Sequence, residues 1–361
     1  MRTFGRRVRG RLVPLIALLV AMTVGWQSPA WAGASAHGNR HLTVATYNLY
    51  LGADLNPLFS ATSQQELVQR AGEVYAQVVR TDFPSRAEAV AQQLAEHPPE
   101  VAGLQEVALW ETGPVGGGLT PSYDFLQLVL DALAKQGLTY RPVATNTNFT
   151  GQLPISATTM VRFTDRDVII ARADLPASRL KVSRPESHNF TARLVFPTPI
   201  PGLVFVAPRG WSTVDVKVRG RVLRVANTHL EAFQADVRNA QAGELVAALA
   251  ASPYPVVLVG DLNSQPTDDT GAYGALAAAG FLDAWVEVHG RAGGFTSGQA
   301  ADLDNVPSQL DHRIDYVLYQ PDRVRAVAAH VIGDELDDRT PSGLWPSDHA
   351  GVVATLCIGH R

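Results

Sequence analysis

Six short segments of this sequence place acids, amides and histidines where apolar runs stop. Val256-Val257-Leu258-Val259 runs into Gly260-Asp261-Leu262-Asn263. The glycine lets the backbone turn closely, and Asp261 and Asn263 face one side while the chain stays extended. A carboxylate beside an amide can hold a water, a phosphoryl oxygen or a hard cation. Both residues also favour turns, so the segment alone is equally a strand-end turn. Ser347-Asp348-His349 stands just before another apolar run and offers an acid and an imidazole. In a bent loop one could serve a metal and the other a proton transfer. Tyr47-Asn48, Gln105-Glu106, Asn227-Thr228-His229 and Arg313-Ile314-Asp315 repeat the pattern, although each singly reads as structural. Together they supply carboxylates for a hard divalent ion, amides for phosphate oxygens and two imidazoles. That set suits metal-assisted phosphoryl transfer, where the protein positions groups and stabilises charge.

The elements that must carry these residues alternate along the chain. Strands are predicted at Leu42 to Tyr47, Val101 to Leu104, Val168 to Ile170, Val222 to Thr228, Val256 to Val259, Ile314 to Leu318 and Val352 to Leu356. Val214, Val216 and Val218 alternate with Asp215 and Lys217, and Arg219-Gly220 turns them into the following strand as a hairpin. Helices are predicted over 63–80, 123–136 and 234–251, and one more is predicted to start at a Ser85/Glu88 capping box and end before His97-Pro98-Pro99. Gly113 to Pro121 and Pro197 to Pro201 read as loops. Strands outnumber helices, and a sheet of this kind displays catalytic side chains on loops at one rim.

In this order the motifs resemble the endonuclease/exonuclease/phosphatase superfamily, in its deoxyribonuclease, sphingomyelinase and inositol-phosphatase-like branches, from residue 41 to the C-terminus. The resemblance implies a four-layer α/β sandwich of two packed mixed β-sheets flanked by helices. It implies Mg²⁺, with Mn²⁺ or Ca²⁺ as alternatives, held chiefly by Glu106 with Asn48 beside it and Asp348 near the metal or the water. It implies catalytic roles for His349, for Asp315 as its orienting carboxylate, for Asp261 and Asn263 at the attacking water and scissile phosphate, and for His229 as the second histidine. Asn48, Asn263 and His229 are then the phosphate-binding set, and the general base is Asp261 or His349. Two positions depart from relatives: Tyr50 stands where many carry an acid or another polar residue, and Asp167 precedes Val168, reading as a strand cap or an extra polar contact. The lengthened segment 51–84 and the 113–121 loop are expected near the rim.

Composition bounds the rest. With 46% hydrophobic and 18% charged residues the chain is globular rather than disordered. Residues 1–32 read as a signal peptide: Arg2, Arg6, Arg7, Arg9 and Arg11, then the uncharged run from Leu12 to Trp26, then cleavage after Ala32 or as late as Ala36. Arg6-Arg7 leaves twin-arginine export open beside the general route. Residues 33–40 form a linker, and 41–361 the catalytic domain. Removing the five leader arginines moves the net charge from −4 to −9, so no global basic character marks a nucleic-acid binder. The expected product is a secreted, monomeric metal-dependent phosphoesterase. Its substrate is a phosphodiester, nucleic acid among the choices. A phosphomonoesterase, or a lipid phosphodiesterase acting on phospholipid or inositol phosphate, is the alternative, and a non-catalytic binding module is the remote one. A modest basic stretch (Arg172, Arg179, Lys181, Arg184, Arg193, with Arg209 near Trp211) would serve a nucleic acid or is simply a solvated surface, whereas Phe59, Trp110, Phe149 or Trp345 would serve a lipid if exposed, each reading equally as core. The single cysteine, Cys357, sits in an apolar run and reads as a buried inert thiol.

Overall fold

The computed structural model describes residues 40–359; the leader and its cleavage sites lie outside the described residues. The elements from the N-terminal end are β1 (Arg40–Asn48), α1 (Asn56–Phe59), α2 (Gln64–Arg80), α3 (Phe83–Glu96), β2 (Val101–Gln105), β3 (Leu109–Pro114), β4 (Thr120–Asp124), α4 (Phe125–Lys135), β5 (Tyr140–Pro154) and β6 (Thr159–Arg172). There follow β7 (Leu180–Asn189), β8 (Leu194–Pro197), β9 (Val204–Ala207), β10 (Gly210–Val218), β11 (Arg221–His229), α5 (Ala235–Ala250) and β12 (Val256–Asp261). The remainder is α6 (Ala272–Ala278), β13 (Leu282–Asp283), α7 (Ala284–His289), β14 (Asp315–Tyr319), β15 (Val324–Ile332) and β16 (Gly351–Ile358).

Two large mixed sheets result. In the first, β1 lies between β16, antiparallel, and β2, parallel. The long strand β6 continues it, pairing along one edge with β2 and then β3, and along the other with β5. The second sheet runs β13-β14-β12-β11-β10-β7, with β11 and β12 parallel. A small hairpin, β8-β9, stands apart.

Side-chain alternation decides the layers. From β1, Leu42 and Val44 point between the sheets, where Ile169, Val214, Val257 and Val317 meet them. Ala45 and Tyr47 point the other way, into a core shared with Val78 of α2, Leu94 of α3 and Leu133 of α4. The second sheet repeats the scheme: Val256 and Leu258 face Leu245 of α5 and Leu276 of α6. The order is therefore helices, sheet, sheet, helices, as expected.

Several local expectations are corrected. Helix α3 begins two residues before Ser85, after Asp82 in left-handed conformation (φ 40°). Ser85 is thus inside the helix, its hydroxyl donating to Asp82 at 2.5 Å, and no Ser85/Glu88 capping box forms. The 113–121 loop stands at residues 115–119, but its ends, Gly113-Pro114 and Thr120-Pro121, belong to the β3-β4 hairpin, which pairs along the edge that β6 supplies. Cys357 is half-buried, not buried. Asp167 does not open a strand; it lies well inside β6.

The two sheets are stitched directly beneath the motif residues. Gln105 Nε2 of the first sheet donates to Asn227 Oδ1 of the second at 2.7 Å, and Thr46 Oγ1 donates to Gln105 Oε1 at 3.2 Å. Gly103 permits this approach, because a Cβ there would stand 2.4 Å from Asn227 Oδ1 and 2.5 Å from Val259 Cγ2.

Candidate active site

Strands β1, β2, β11, β12 and β14 all end or begin at one rim, beside a cleft of about 310 Å³ that His229 and Asp261 line, while Asn48, Gln105 and Asp315 are buried and do not line it. Glu106, His229, Asp261, Asn263, Asp348 and His349 line it. The two parallel pairs explain the convergence. Asn48 lies beside Gln105 in register, and His229 beside Asp261, so four motifs share one edge. Asp315 is the register partner of Asp261 on the antiparallel neighbour.

His349 Nδ1 is 2.8 Å from Asp315 Oδ2, and its other nitrogen stands 3.9 Å from Asp261 Oδ2. Burial opposes charging of this imidazole, but Asp315, Asp348 and Asp261 outweigh burial and raise its pKa well above the usual range. His229 Nε2 is 3.4 Å from the same Asp261 oxygen. Burial, with Arg209 and His349 adding to it, drives the His229 pKa well below the usual range. The two imidazoles are thus pushed in opposite directions, and the Nε2 of each faces the same Asp261 oxygen. Asp261 itself is lifted to about 7, first by burial and then by Asp315.

Asn48 is a donor here. Its NH₂ reaches Asp261 Oδ2 at 3.1 Å and Glu106 Oε1 at 3.2 Å, while its Oδ1 accepts from the Tyr50 backbone N–H at 3.0 Å. Asn263 does not continue an extended strand. It is left-handed (φ 49°), its N–H donates to Asp261 Oδ1 at 2.8 Å, and its side chain donates to Leu230 O at 3.0 Å. Glu106 is also left-handed (φ 53°), a conformation disfavoured for any side chain, and it accepts from Leu51 N–H at 2.8 Å. Burial first, then Asp165, raises the Glu106 pKa. Asp348 rises to about 6, chiefly by burial, with Glu106 adding to it. Ser347 Oγ donates to Asn48 O at 2.7 Å and ties the Asp348–His349 segment to the end of β1.

Sequence reasoning missed most of a second tier, of which only Asp167 was noted, as a strand cap or an extra polar contact. Arg209, read as part of a surface stretch, is largely enclosed and lines the cleft. It contacts Asp165 Oδ2 at 3.4 Å and His229 Nδ1 at 2.8 Å. Asp165 and Asp167 are buried on one face of β6, and Asn148 donates to Asp167 at 2.8 Å and to Asp165 at 3.3 Å. The signal was present as acids at i and i+2 on β6 opposite amides at i and i+2 on β5, which puts all four on one face. Of the basic stretch, Arg172 pairs with Asp174, Arg179 with Glu100 and Arg184 with Asp215. Of the rim expectations, Leu51, Ala53, Asp54, Leu55 and Phe59 line the cleft, whereas residues 60–84 and the 113–121 segment do not.

The donor set suits a hard divalent cation. Glu106, Asp165, Asp261 and Asp348 line the cleft with a single arginine, Arg209, and Asp167 and Asp315 are buried close to His229 and His349. Asp165, Asp167 and Asp315 each leave one buried oxygen without a hydrogen bond. Asp261, Asp315 and His349 also bring ligand atoms within 4.8 Å of one another. The short Asp315–His349 contact makes that trio a proton-holding pair beside a carboxylate, so Glu106 and Asp348, at the cleft surface, are the better-placed ligands.

The family model described as Endonuclease/Exonuclease/phosphatase family matches residues 45–349. No curated protein matches by sequence. Among solved structures, an endonuclease/exonuclease/phosphatase family protein of Bacteroides thetaiotaomicron superposes with TM-score 0.56 at 19% identity, covering 89% of this chain and 99% of that one. The mannosyl-6-phosphatase of the same organism gives 0.52 at 19% identity, over 87% and 99%. D. rerio TDP2 complexed with a single-strand DNA product gives 0.51 at 19% identity, over 88% and 98%. At these identities the likeness is one of fold.

Proposed function

Because the chain belongs to the endonuclease/exonuclease/phosphatase family, we propose that it is a divalent-metal-dependent hydrolase that splits phosphodiester bonds by attack of water. The observation that carries this reading is the convergence of two histidines on one Asp261 oxygen, Nε2 of His229 at 3.4 Å and Nε2 of His349 at 3.9 Å, the first backed by Arg209 and the second by Asp315. Groups whose surroundings push their proton affinities apart are the usual sign of divided acid and base roles.

A cation at Glu106 and Asp348, Mg²⁺ by preference for their oxygens, would neutralise the phosphoryl group and the leaving oxygen. Asp261 takes the proton from the attacking water as the new O–P bond forms. Charged His349, held by Asp315, donates to a phosphoryl oxygen, and neutral His229 donates through its Nε2–H to another. In-line displacement breaks the P–O bond on the far side, and the departing alkoxide is protonated by solvent there. Asn48 holds the Asp261 and Glu106 carboxylates in register, and Asn263 closes the turn that aims Asp261. A diester, with one negative charge, fits a cleft whose lining carries a single guanidinium, already shared with Asp165 and His229. The arginine-rich leader motivates a further reading: the mature enzyme works outside the cytoplasm, which N-terminal sequencing of protein recovered from culture medium tests.

Bis-p-nitrophenyl phosphate assayed with Mg²⁺, Mn²⁺ or EDTA tests the central reading. Metal-stimulated release of nitrophenol is expected. Activity that persists in EDTA overturns the metal requirement, and activity unchanged in Asp261→Ala overturns the site.

A further inference from the structure

The cleft is polar on only part of its wall. Leu55, Phe59, Phe149, Phe163 and Phe205 complete it, and the same five side chains also line a second cavity of about 250 Å³. The two spaces therefore adjoin across a shared apolar partition. Its rings are in contact: Phe205 packs against Phe59 and against Phe149 with centroids 4.7 Å apart in each case. Phe59, Phe149 and Phe205 are nevertheless only half-buried, so they keep apolar surface open to the cavities.

No charged side chain lines the second cavity, which runs from α2 (Ala71, Val74) to β9 (Val206). Its few polar groups are mostly satisfied within the protein. Thr198 Oγ1 donates to Leu203 O at 3.0 Å, and Trp110 Nε1 donates to Leu51 O at 2.9 Å. A nucleotide base entering here would give up its water with almost no replacement partners, and the next phosphate would meet no cation. A hydrocarbon chain has no such cost, and the space exceeds the roughly 150 Å³ of an apolar cavity known to take benzene. The surface around the opening agrees. Val195, Phe196, Leu203 and Val204 of the β8-β9 hairpin region and Phe233 are all exposed, and Phe196 and Phe233 share a third cavity with Phe59 and Phe205. Scattered exposed apolar residues are ordinary, but a contiguous group marks a binding surface.

We propose that the second cavity is a subsite for a hydrocarbon chain of the substrate, so that the enzyme cleaves phosphodiesters in which one alcohol bears an alkyl or acyl chain. The phosphate lies among the acids and histidines, and the chain crosses the phenylalanine partition. This rests on the phosphodiesterase reading of the cleft.

The experiment uses p-nitrophenyl alkyl phosphates from methyl to decyl, each below its aggregation concentration, with Mg²⁺. For the unsubstituted enzyme kcat/KM is expected to rise about three- to fourfold per added methylene until the cavity is full. Ala71→Phe, which fills the cavity, and Val206→Lys, which charges its wall, are each expected to flatten that series while leaving the methyl ester unchanged. Binding of decyl methylphosphonate, read by calorimetry, supplies an arm that needs no turnover. Hydrolysis of all esters at one rate, or a chain-length gain that survives in both variants, overturns the subsite. No hydrolysis of any ester, with decyl methylphosphonate still bound and Ala71→Phe weakening it, overturns the catalytic reading and keeps the subsite. No binding overturns the subsite outright.

Discussion

Arg209 Nη1 stands 2.8 Å from His229 Nδ1, and a guanidinium has only donors to offer. The contact therefore makes Nδ1 the acceptor and leaves the ring proton on Nε2, the nitrogen that faces Asp261 at 3.4 Å. Arginine does for His229 what Asp315 does for His349, with the opposite result: Asp315 favours the charged ring, Arg209 the neutral one. Arg209 is a positioning residue on this account.

Arg209→Gln should lower kcat about 10²-fold with a smaller change in KM, the scale of a lost proton-transfer or donor function. The same variant should raise the His229 pKa, because both the guanidinium charge and the enforced neutral tautomer are gone. A histidine ring titration by NMR reads this directly. A drop in kcat with an unmoved His229 titration would show that Arg209 acts by packing alone.

His349 and Asp315 should behave as a unit. His349→Ala and Asp315→Asn should each cost on the order of 10²–10⁴ in kcat, and the double variant little more than the worse single one. Multiplicative losses in the double variant would separate the two roles.

The buried acids give a pH-dependent stability with a definite sign. Asp261 ionises near 7 in the fold against an ordinary value of 3.8, chiefly because it is buried. A raised folded pKa stabilises below the unfolded value, and that contribution is lost as pH rises through the folded one. In EDTA, Asp261→Asn should therefore match the unsubstituted protein near pH 4 and exceed it at pH 8, by on the order of a few kcal/mol. Mg²⁺ should narrow the gap at pH 8 by compensating the carboxylate. Thermal melts at the two pH values, with and without metal, check it, and equal melting temperatures at pH 8 in EDTA would refute the idea.

The strand-end motifs were legible because a strand's apolar run ends visibly, and the parallel pairs β1-β2 and β11-β12 carry those ends to one rim. Asn48, Glu106, His229, Asp261, Asp315 and His349 were read from where apolar runs stop or start, and the structure gathers them at that rim. Asp165 and Arg209 were not, and Asp167 was read only as a strand cap or an extra polar contact, since each sits among residues of ordinary strand or loop type and acquires meaning from its neighbours on adjacent strands. Asn263 was found for the wrong local reason: it leaves the extended conformation and acts through the turn. The Phe59–Phe149–Phe205 partition joins residues 51–59, β5 and β9, segments far apart in sequence with no shared periodicity.

The most consequential residue with no sequence signal is Arg86. It is fully buried on α3, and its guanidinium donates to Thr81 O, Leu49 O, Pro346 O and Tyr50 O at 2.8, 2.8, 2.9 and 3.2 Å. One side chain thus joins the segment after Asn48 to the segment before Asp348. Burial is the main cause of a pKa lowered to about 10, which still leaves the group charged at neutral pH. Arg86→Met keeps much of the volume but strands four carbonyl oxygens, each costing about 1–3 kcal/mol if no water enters. The variant should melt well below the unsubstituted protein. At a temperature where it remains folded, kcat should fall because Asn48 and Asp348 lose their common anchor, with the Arg209–His229 contact and the His229 titration unchanged. Loss of stability with full kcat would show that the two segments hold their places without it.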